Sequence, residues 1–114
     1  MNATFVELPP FARYRSEYLD DEAFRELQKQ LLQRPQKGDV IQGTGGLRKL
    51  RFADAHRGKG TRGGLRVIYY WWLGGDQFWL FTLYDKDEAA DLTSDERKEL
   101  KAMLERELQL RSKK

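Results

Sequence analysis

L-R-V-I-Y-Y-W-W-L-G-G-D-Q-F-W-L-F-T-L-Y, running from Leu65 to Tyr84, joins two stretches of aromatic and β-branched residues through Gly74-Gly75-Asp76. Such residues fit a pleated, half-buried surface, and the glycine pair with aspartate is a compact hairpin signal. Residues 65–73 and 78–84 are therefore expected to be the central strands of a sheet. Just upstream, residues 47–52 alternate in a different way, with Leu50 and Phe52 on one side and Lys49 and Arg51 on the other. That is the period of a strand buried on one face, with its polar face cationic.

The flanking segments read as helices and one more strand. Residues 4–8 form a short strand candidate closed by Pro9-Pro10, where proline suits the first turn of a helix. Phe11, Tyr14 and Tyr18 then recur at helical spacing, as do Phe24, Leu27 and Leu31 after a capping Asp20 or Asp21. Pro35 and Gly38 end that second helix. Thr93-Ser94-Asp95-Glu96 has the spacing of a capping box, followed by Leu100, Met103, Leu104 and Leu108 as one apolar stripe. The expected order is β-α-α-β-β-β-α in one domain spanning residues 1–114. It is an α+β fold, a mostly antiparallel sheet with helices packed on one face and the other face partly open.

Charge is segregated. Residues 42–68 carry Arg48, Lys49, Arg51, Arg57, Lys59, Arg62 and Arg66 against the single Asp54, while residues 85–99 are acid-rich, so the net charge of +3 conceals a dipole. Cations clustered beside strands suit a phosphodiester backbone, because each neutralised phosphate releases condensed counterions. Residues 53–64, A-D-A-H-R-G-K-G-T-R-G-G, read as a long basic glycine-rich loop in which Arg57, Lys59 and Arg62, together with Arg48, are expected to bind a nucleic-acid backbone. No cysteine is present, which excludes disulfides and thiol nucleophiles and suits a reducing compartment. The opening M-N-A-T-F-V-E-L-P-P shows no basic region followed by an apolar one, and no apolar run is long enough for a membrane helix. A cytoplasmic setting without membrane contact is the expectation.

Several chemistries are disfavoured. His56 is the only histidine, so a two-histidine ribonuclease site is impossible within one chain. Gly43-Thr44-Gly45-Gly46 lacks the third spaced glycine of a dinucleotide fingerprint, and Gly58-Lys59-Gly60-Thr61 lacks the upstream glycine of a phosphate-binding P-loop. Asp85, Asp87, Glu88 and Asp91 read as a solvated acidic turn before a helix rather than as metal ligands. Cation chemistry on phosphate remains. Arg66 heads a strongly apolar strand where a charge is costly in the core, so it either lies at the sheet margin as an ordinary surface arginine or points across the open face at a ligand, and convergence with Lys49 and Arg51 favours the ligand. Crowding among cations disfavours a protonated ammonium, which marks Lys49 as a candidate proton-transfer group.

The runs V-I-Q-G-T-G-G-L-R-K-L-R (residues 40–51), G-K-G-T-R-G-G-L-R-V-I-Y-Y (residues 58–70) and L-F-T-L-Y-D-K-D-E-A-A-D-L-T (residues 80–93) resemble the HigB branch of the RelE superfamily of bacterial type II toxins. The resemblance implies a ribosome-dependent mRNA endonuclease that needs no metal or cofactor. It also implies a cognate HigA-type antitoxin with a helix-turn-helix domain, through which alone the pair contacts operator DNA. By the same resemblance, a ribose 2′-OH attacks the adjacent phosphate. Lys49 and Arg51 match the basic pair on the first core strand, Arg66 the phosphate-binding arginine of the next, and Lys86 the basic position after the last. Asp87 stands where RelE has an arginine, and RelE's C-terminal tyrosine has no counterpart, leaving Tyr84 as its candidate replacement or as an inward-facing residue. Two other classes stay open: a ParE-like gyrase poison and a non-catalytic RNA-binding module.

Overall fold

The computed structural model describes residues 2–53, 64–86 and 91–112. Along the chain these form β1 (Thr4–Glu7), α1 (Pro9–Tyr18), α2 (Asp21–Gln33), β2 (Asp39–Val40), β3 (Arg48–Phe52), β4 (Leu65–Trp72), β5 (Gln77–Asp85) and α3 (Ser94–Ser112). The sheet order is β1-β5-β4-β3-β2. All neighbours are antiparallel except β1, which runs parallel to β5 with Thr4 opposite Gln77 and Glu7 opposite Leu80. The expected α+β class and mostly antiparallel sheet are thus observed, with the two-residue β2 as an additional edge strand.

Local signals in the sequence account for the element ends. Asp20 accepts a hydrogen bond from the Ala23 N–H at 2.7 Å and opens α2. Thr93 and Glu96 exchange two bonds, Glu96 N–H to Thr93 Oγ1 at 3.1 Å and Thr93 N–H to Glu96 Oε1 at 2.8 Å, which is the reciprocal capping box before α3. The β4–β5 turn is a short 3₁₀ segment over Leu73–Gly75, closed by Asp76 in the left-handed region at φ 50°. Aspartate tolerates that region better than most residues.

Helices lie on both faces of the sheet, in contrast to the expectation that all pack on one. Phe11, Leu27 and Leu31 from α1 and α2 share one cluster with Leu50, Phe52, Leu65, Val67, Tyr69, Phe78, Leu80 and Leu83. Leu100 and Leu104 of α3 share a second with Leu47, Ile68, Trp79 and Phe81. The reason is that β4 is apolar on both sides: residues 65–69 are all buried, so its alternate positions need cover from opposite directions.

Tyr69 ties the α2–β2 connection to this core. Its ring is fully buried, its hydroxyl donates to the Pro35 carbonyl at 2.8 Å, and it accepts from the Gly38 N–H at 3.0 Å. A Cβ at position 38 would sit 2.9 Å from Tyr69 Cε1, so glycine is required by contact there. Tyr69→Phe is expected to leave a buried N–H without its partner and to cost about 1–3 kcal/mol in a urea melt.

The glycine stretch before β3 has a structural explanation as well. Thr44, fully buried, donates its hydroxyl to the Ile41 carbonyl at 2.6 Å and accepts from the Leu47 N–H at 3.2 Å, so it closes the turn from within. Gly45 and Gly46 follow at φ 84° and 122°, a region side chains rarely adopt, and feed Leu47 into the core.

Candidate functional site

Register brings three of the predicted residues into one row across the sheet. Arg51 on β3 lies opposite Arg66 on β4, and Arg66 lies opposite Tyr84 on β5. One step along, Lys49 lies opposite Ile68, and Ile68 opposite Thr82. Lys49, Arg51, Arg66 and Tyr84 therefore share the face that α3 covers only in part.

Tyr84 reaches that face because of an irregularity. Phe78 and Leu80 pack towards α1 and α2, so regular alternation would send residues 82 and 84 the same way. Between Ile68 and Tyr69, however, the partner on β5 jumps from Thr82 to Leu80, leaving Phe81 as an extra residue. This bulge inverts the alternation beyond it: Leu83 joins the α1/α2 cluster and Tyr84 packs against the α3 side. Tyr84 is half-buried, and its buried hydroxyl has no hydrogen-bond partner among the described residues. Burial, reinforced by the Asp91 charge and opposed by that of Arg66, pushes its phenol above the ordinary tyrosine pKa of 10.0.

The four cations differ in their surroundings. Arg51 is exposed. Lys49 retains 23 % side-chain exposure and lies 3.5 Å from Asp91 Oδ1, so the ammonium thought to be crowded by like charges has a counter-ion instead. Arg66 is 5 % exposed, and its guanidinium donates to the Gly64 and Leu65 carbonyls at 3.3 Å each, folding back on its own strand start. Lys86 is exposed in the turn after β5, where its backbone N–H donates to the Gly64 carbonyl at 3.3 Å.

Arg48 is separated from this group. It faces Tyr69 across the sheet on the opposite side, and its guanidinium donates to the Gly38 carbonyl at 2.7 Å and the Gln36 carbonyl at 3.3 Å. Its charge supports the α2–β2 turn. Arg57, Lys59, Arg62 and His56 fall outside the described residues.

Two contributors were not assigned to the site from the sequence. Asp91, read there as part of a solvated turn, bridges Lys49 and Arg97, the latter at 3.6 Å. Arg97 lines an open cleft with Lys49, Arg51, Asp91 and the β2 segment around Asp39 to Gln42, and its Nε is buried without a partner among the described residues. One signal was available: Arg97 sits in the first turns of α3, where the helix dipole disfavours a cation. A cation kept against that field has a reason elsewhere. The depressed pKa of Asp91 comes first from the Leu92 N–H it accepts at 2.8 Å and is reinforced by Lys49 and Arg97, so the bridge is intact at neutral pH. Its contribution to stability is present above the ordinary carboxylate pKa and is lost as pH falls through the depressed value.

The geometry therefore offers a row of cations, a neutral phenol and an acidic bridge at the end of a sheet. A free-state structure of the E. coli toxin RelE carrying two arginine-to-alanine substitutions is similar to this one. The two superpose with a TM-score of 0.54 over 79 % of this chain and 90 % of that one, at 12 % identity. The chain has the RelE fold. No protein-family profile matches the sequence. Within the RelE fold, the surface on which Lys49, Arg51, Arg66 and Tyr84 converge is bordered by the start of α3, which supplies Arg97.

Proposed function

We propose that this protein is a RelE-like toxin of HigB type, a metal-independent endoribonuclease that cleaves mRNA in the ribosomal A site and is held in check by a HigA-type helix-turn-helix antitoxin. The observation that carries this reading is the Arg51–Arg66–Tyr84 row with Lys49 beside it on a RelE-type sheet. Arg51 and Arg66 stabilise the charge that grows on a scissile phosphate. Lys49, released from Asp91, takes the proton from the ribose 2′-OH as the O2′–P bond forms. The P–O5′ bond breaks, and Tyr84 protonates the leaving oxygen, giving a 2′,3′-cyclic phosphate and a free 5′-OH. A phenol with a raised pKa stays protonated across the physiological range, as a proton donor must. Lys86 is assigned to backbone contacts at the rim of this surface, as are Arg57, Lys59 and Arg62.

The decisive experiment is translation of a defined message by purified ribosomes in the presence of this protein, with new 5′ ends mapped by primer extension. Fresh 5′-OH ends inside the A-site codon are expected. RNA binding without new ends would leave a non-catalytic RNA-binding module, and gyrase inhibition without RNA cleavage would leave a ParE-like poison.

Two substitutions separate the roles. Tyr84→Phe removes a hydroxyl that has no partner among the described residues, so stability is expected to hold or rise by up to about 1 kcal/mol, whereas cleavage drops by about 10²-fold or more if the phenol is the proton donor. An unchanged cleavage rate assigns Tyr84 to packing alone. Asp91→Asn frees Lys49 and Arg97 from an exposed ion pair worth roughly 0.2–1 kcal/mol. Fluorescence anisotropy with a short single-stranded RNA is then expected to give tighter binding by about two- to fivefold at low salt; weaker binding would make Asp91 a ligand contact rather than a competitor.

A further inference from the structure

Beside the cation row lies a second concavity, most of whose wall the proposed chemistry does not use. It encloses about 240 Å³ between α1, the end of β5 and the segment entering α3, and its walls include Tyr14, Tyr18, Tyr84, Asp91, Leu92 and Glu96. That is below the roughly 300–1,000 Å³ of pockets for drug-sized ligands and suits a single planar ring system. Tyr14 and Tyr18 are four residues apart on α1, hence on one helix face, and Tyr14 is 38 % exposed although it is a large aromatic. The polar lining contributed by Asp91 and Glu96 is carboxylate, which accepts hydrogen bonds and does not donate them when ionised. Glu96 is held in place by the capping-box bond from the Thr93 N–H. Asp91 lines both this pocket and the cationic cleft, so the two adjoin.

We infer that this pocket is a subsite for one unpaired nucleobase bearing an exocyclic amine, namely cytosine, adenine or guanine in preference to uracil. This rests on the reading of the cation row as a phosphate site. A strand with a phosphate against Lys49 and Arg51 has its neighbouring base within reach of the shared Asp91 wall. Aromatic side chains on one helix face supply the stacking surface that unpaired bases use, and that surface is tolerant of base identity. Selectivity comes from the carboxylates. They pair with an amino group such as cytosine N4, whereas uracil presents carbonyl oxygens on either side of its single N–H and is repelled. Tyr84, whose hydroxyl has no hydrogen-bond partner among the described residues and is the proton donor of the proposed reaction, stands in the same wall, so a base held here lies beside the reacting phosphate.

The test is an NMR titration of the isotope-labelled full chain with the 5′-monophosphates of cytidine, adenosine, guanosine and uridine. The three amine-bearing nucleotides are expected to shift resonances of Tyr14, Tyr18, Thr82 and Glu96 in addition to those of Lys49 and Arg51, and to bind at least about fivefold more tightly than UMP. Glu96→Gln preserves the capping box, since glutamine serves that role too, but exchanges a pure acceptor for a group that also donates. It is expected to remove the discrimination against UMP at unchanged melting temperature, and Tyr14→Ala to weaken all four nucleotides. Shifts confined to Lys49, Arg51 and Arg66, or equal binding of UMP and CMP, would overturn the subsite while leaving the phosphate site standing. Shifts at the tyrosines with no cleavage of ribosome-bound mRNA would leave the subsite standing and overturn the nuclease reading, and no shifts anywhere would overturn the subsite and remove the phosphate site with it.

Discussion

Arg66→Ala is expected to slow ribosome-dependent mRNA cleavage by about 30- to 900-fold, the equivalent of roughly 2–4 kcal/mol lost from transition-state stabilisation. Arg66 occupies the middle of the Arg51–Arg66–Tyr84 row, so in the proposed reaction a phosphate spanning β3 and β5 passes over it. The guanidinium is nearly buried and also holds the Gly64 and Leu65 carbonyls, so part of its effect is structural. Losing those bonds is expected to cost about 1–3 kcal/mol of stability, measurable separately as a lowered melting temperature. Arg66→Lys divides the two contributions. It keeps the charge but not the planar fork, and is expected to recover part of the binding and little of the rate. Cleavage by Arg66→Ala at the parental rate, in a protein shown to be folded, would remove this row from the mechanism.

The features legible in the sequence are those set by neighbours along the chain. The capping box at Thr93–Glu96, the Asp20 cap, the Gly74-Gly75-Asp76 turn and the alternation of Leu50 and Phe52 with Lys49 and Arg51 each depend on spacing within about four residues, and each is found. The parts that were not legible depend on contacts between distant segments. The Phe81 bulge turns Tyr84 to the cationic face, yet F-W-L-F-T-L-Y alternates poorly enough that no local pattern marks where alternation inverts. Arg48 follows the same basic pattern as Lys49, and only its pairing with Tyr69 and the approach of Gln36 and Gly38 show which carbonyls its charge serves. Asp91 reads as one of four solvated acids until the fold carries Lys49 and Arg97 to either side of it. The site is thus a product of register, which the sequence implies only through the hairpin, and of where α3 lands, which follows from β4 being apolar on both faces.

Trp79→Ala is expected to destabilise the protein by about 3–5 kcal/mol, the range for truncating a buried Phe or Trp, with a fall in melting temperature on the order of 10–20 °C. Trp79 is fully buried at the centre of the α3-side cluster, with the rings of Tyr70 and Trp72 at 5.3 and 5.2 Å. It also fastens the far end of the helix. The Arg111 guanidinium lies over its ring at 5.3 Å, and the indole N–H donates at 2.8 Å to Gln77 Oε1, which accepts from Arg111 as well at 3.3 Å. One side chain therefore anchors the end of α3 opposite to the one that delivers Arg97 to the cleft. If α3 is seated as a unit, loosening Arg111 and the Leu104 contacts frees Arg97 too, and RNA affinity falls together with stability. Trp79→Phe retains most of the ring packing but gives up the indole hydrogen bond, and is expected to cost about 1–2 kcal/mol with the cleft largely unaffected. A melting temperature for Trp79→Ala within a few degrees of the parent would mean that α3 is held mainly by its first turns, and that the aromatic cluster on this face stabilises the sheet rather than the helix above it.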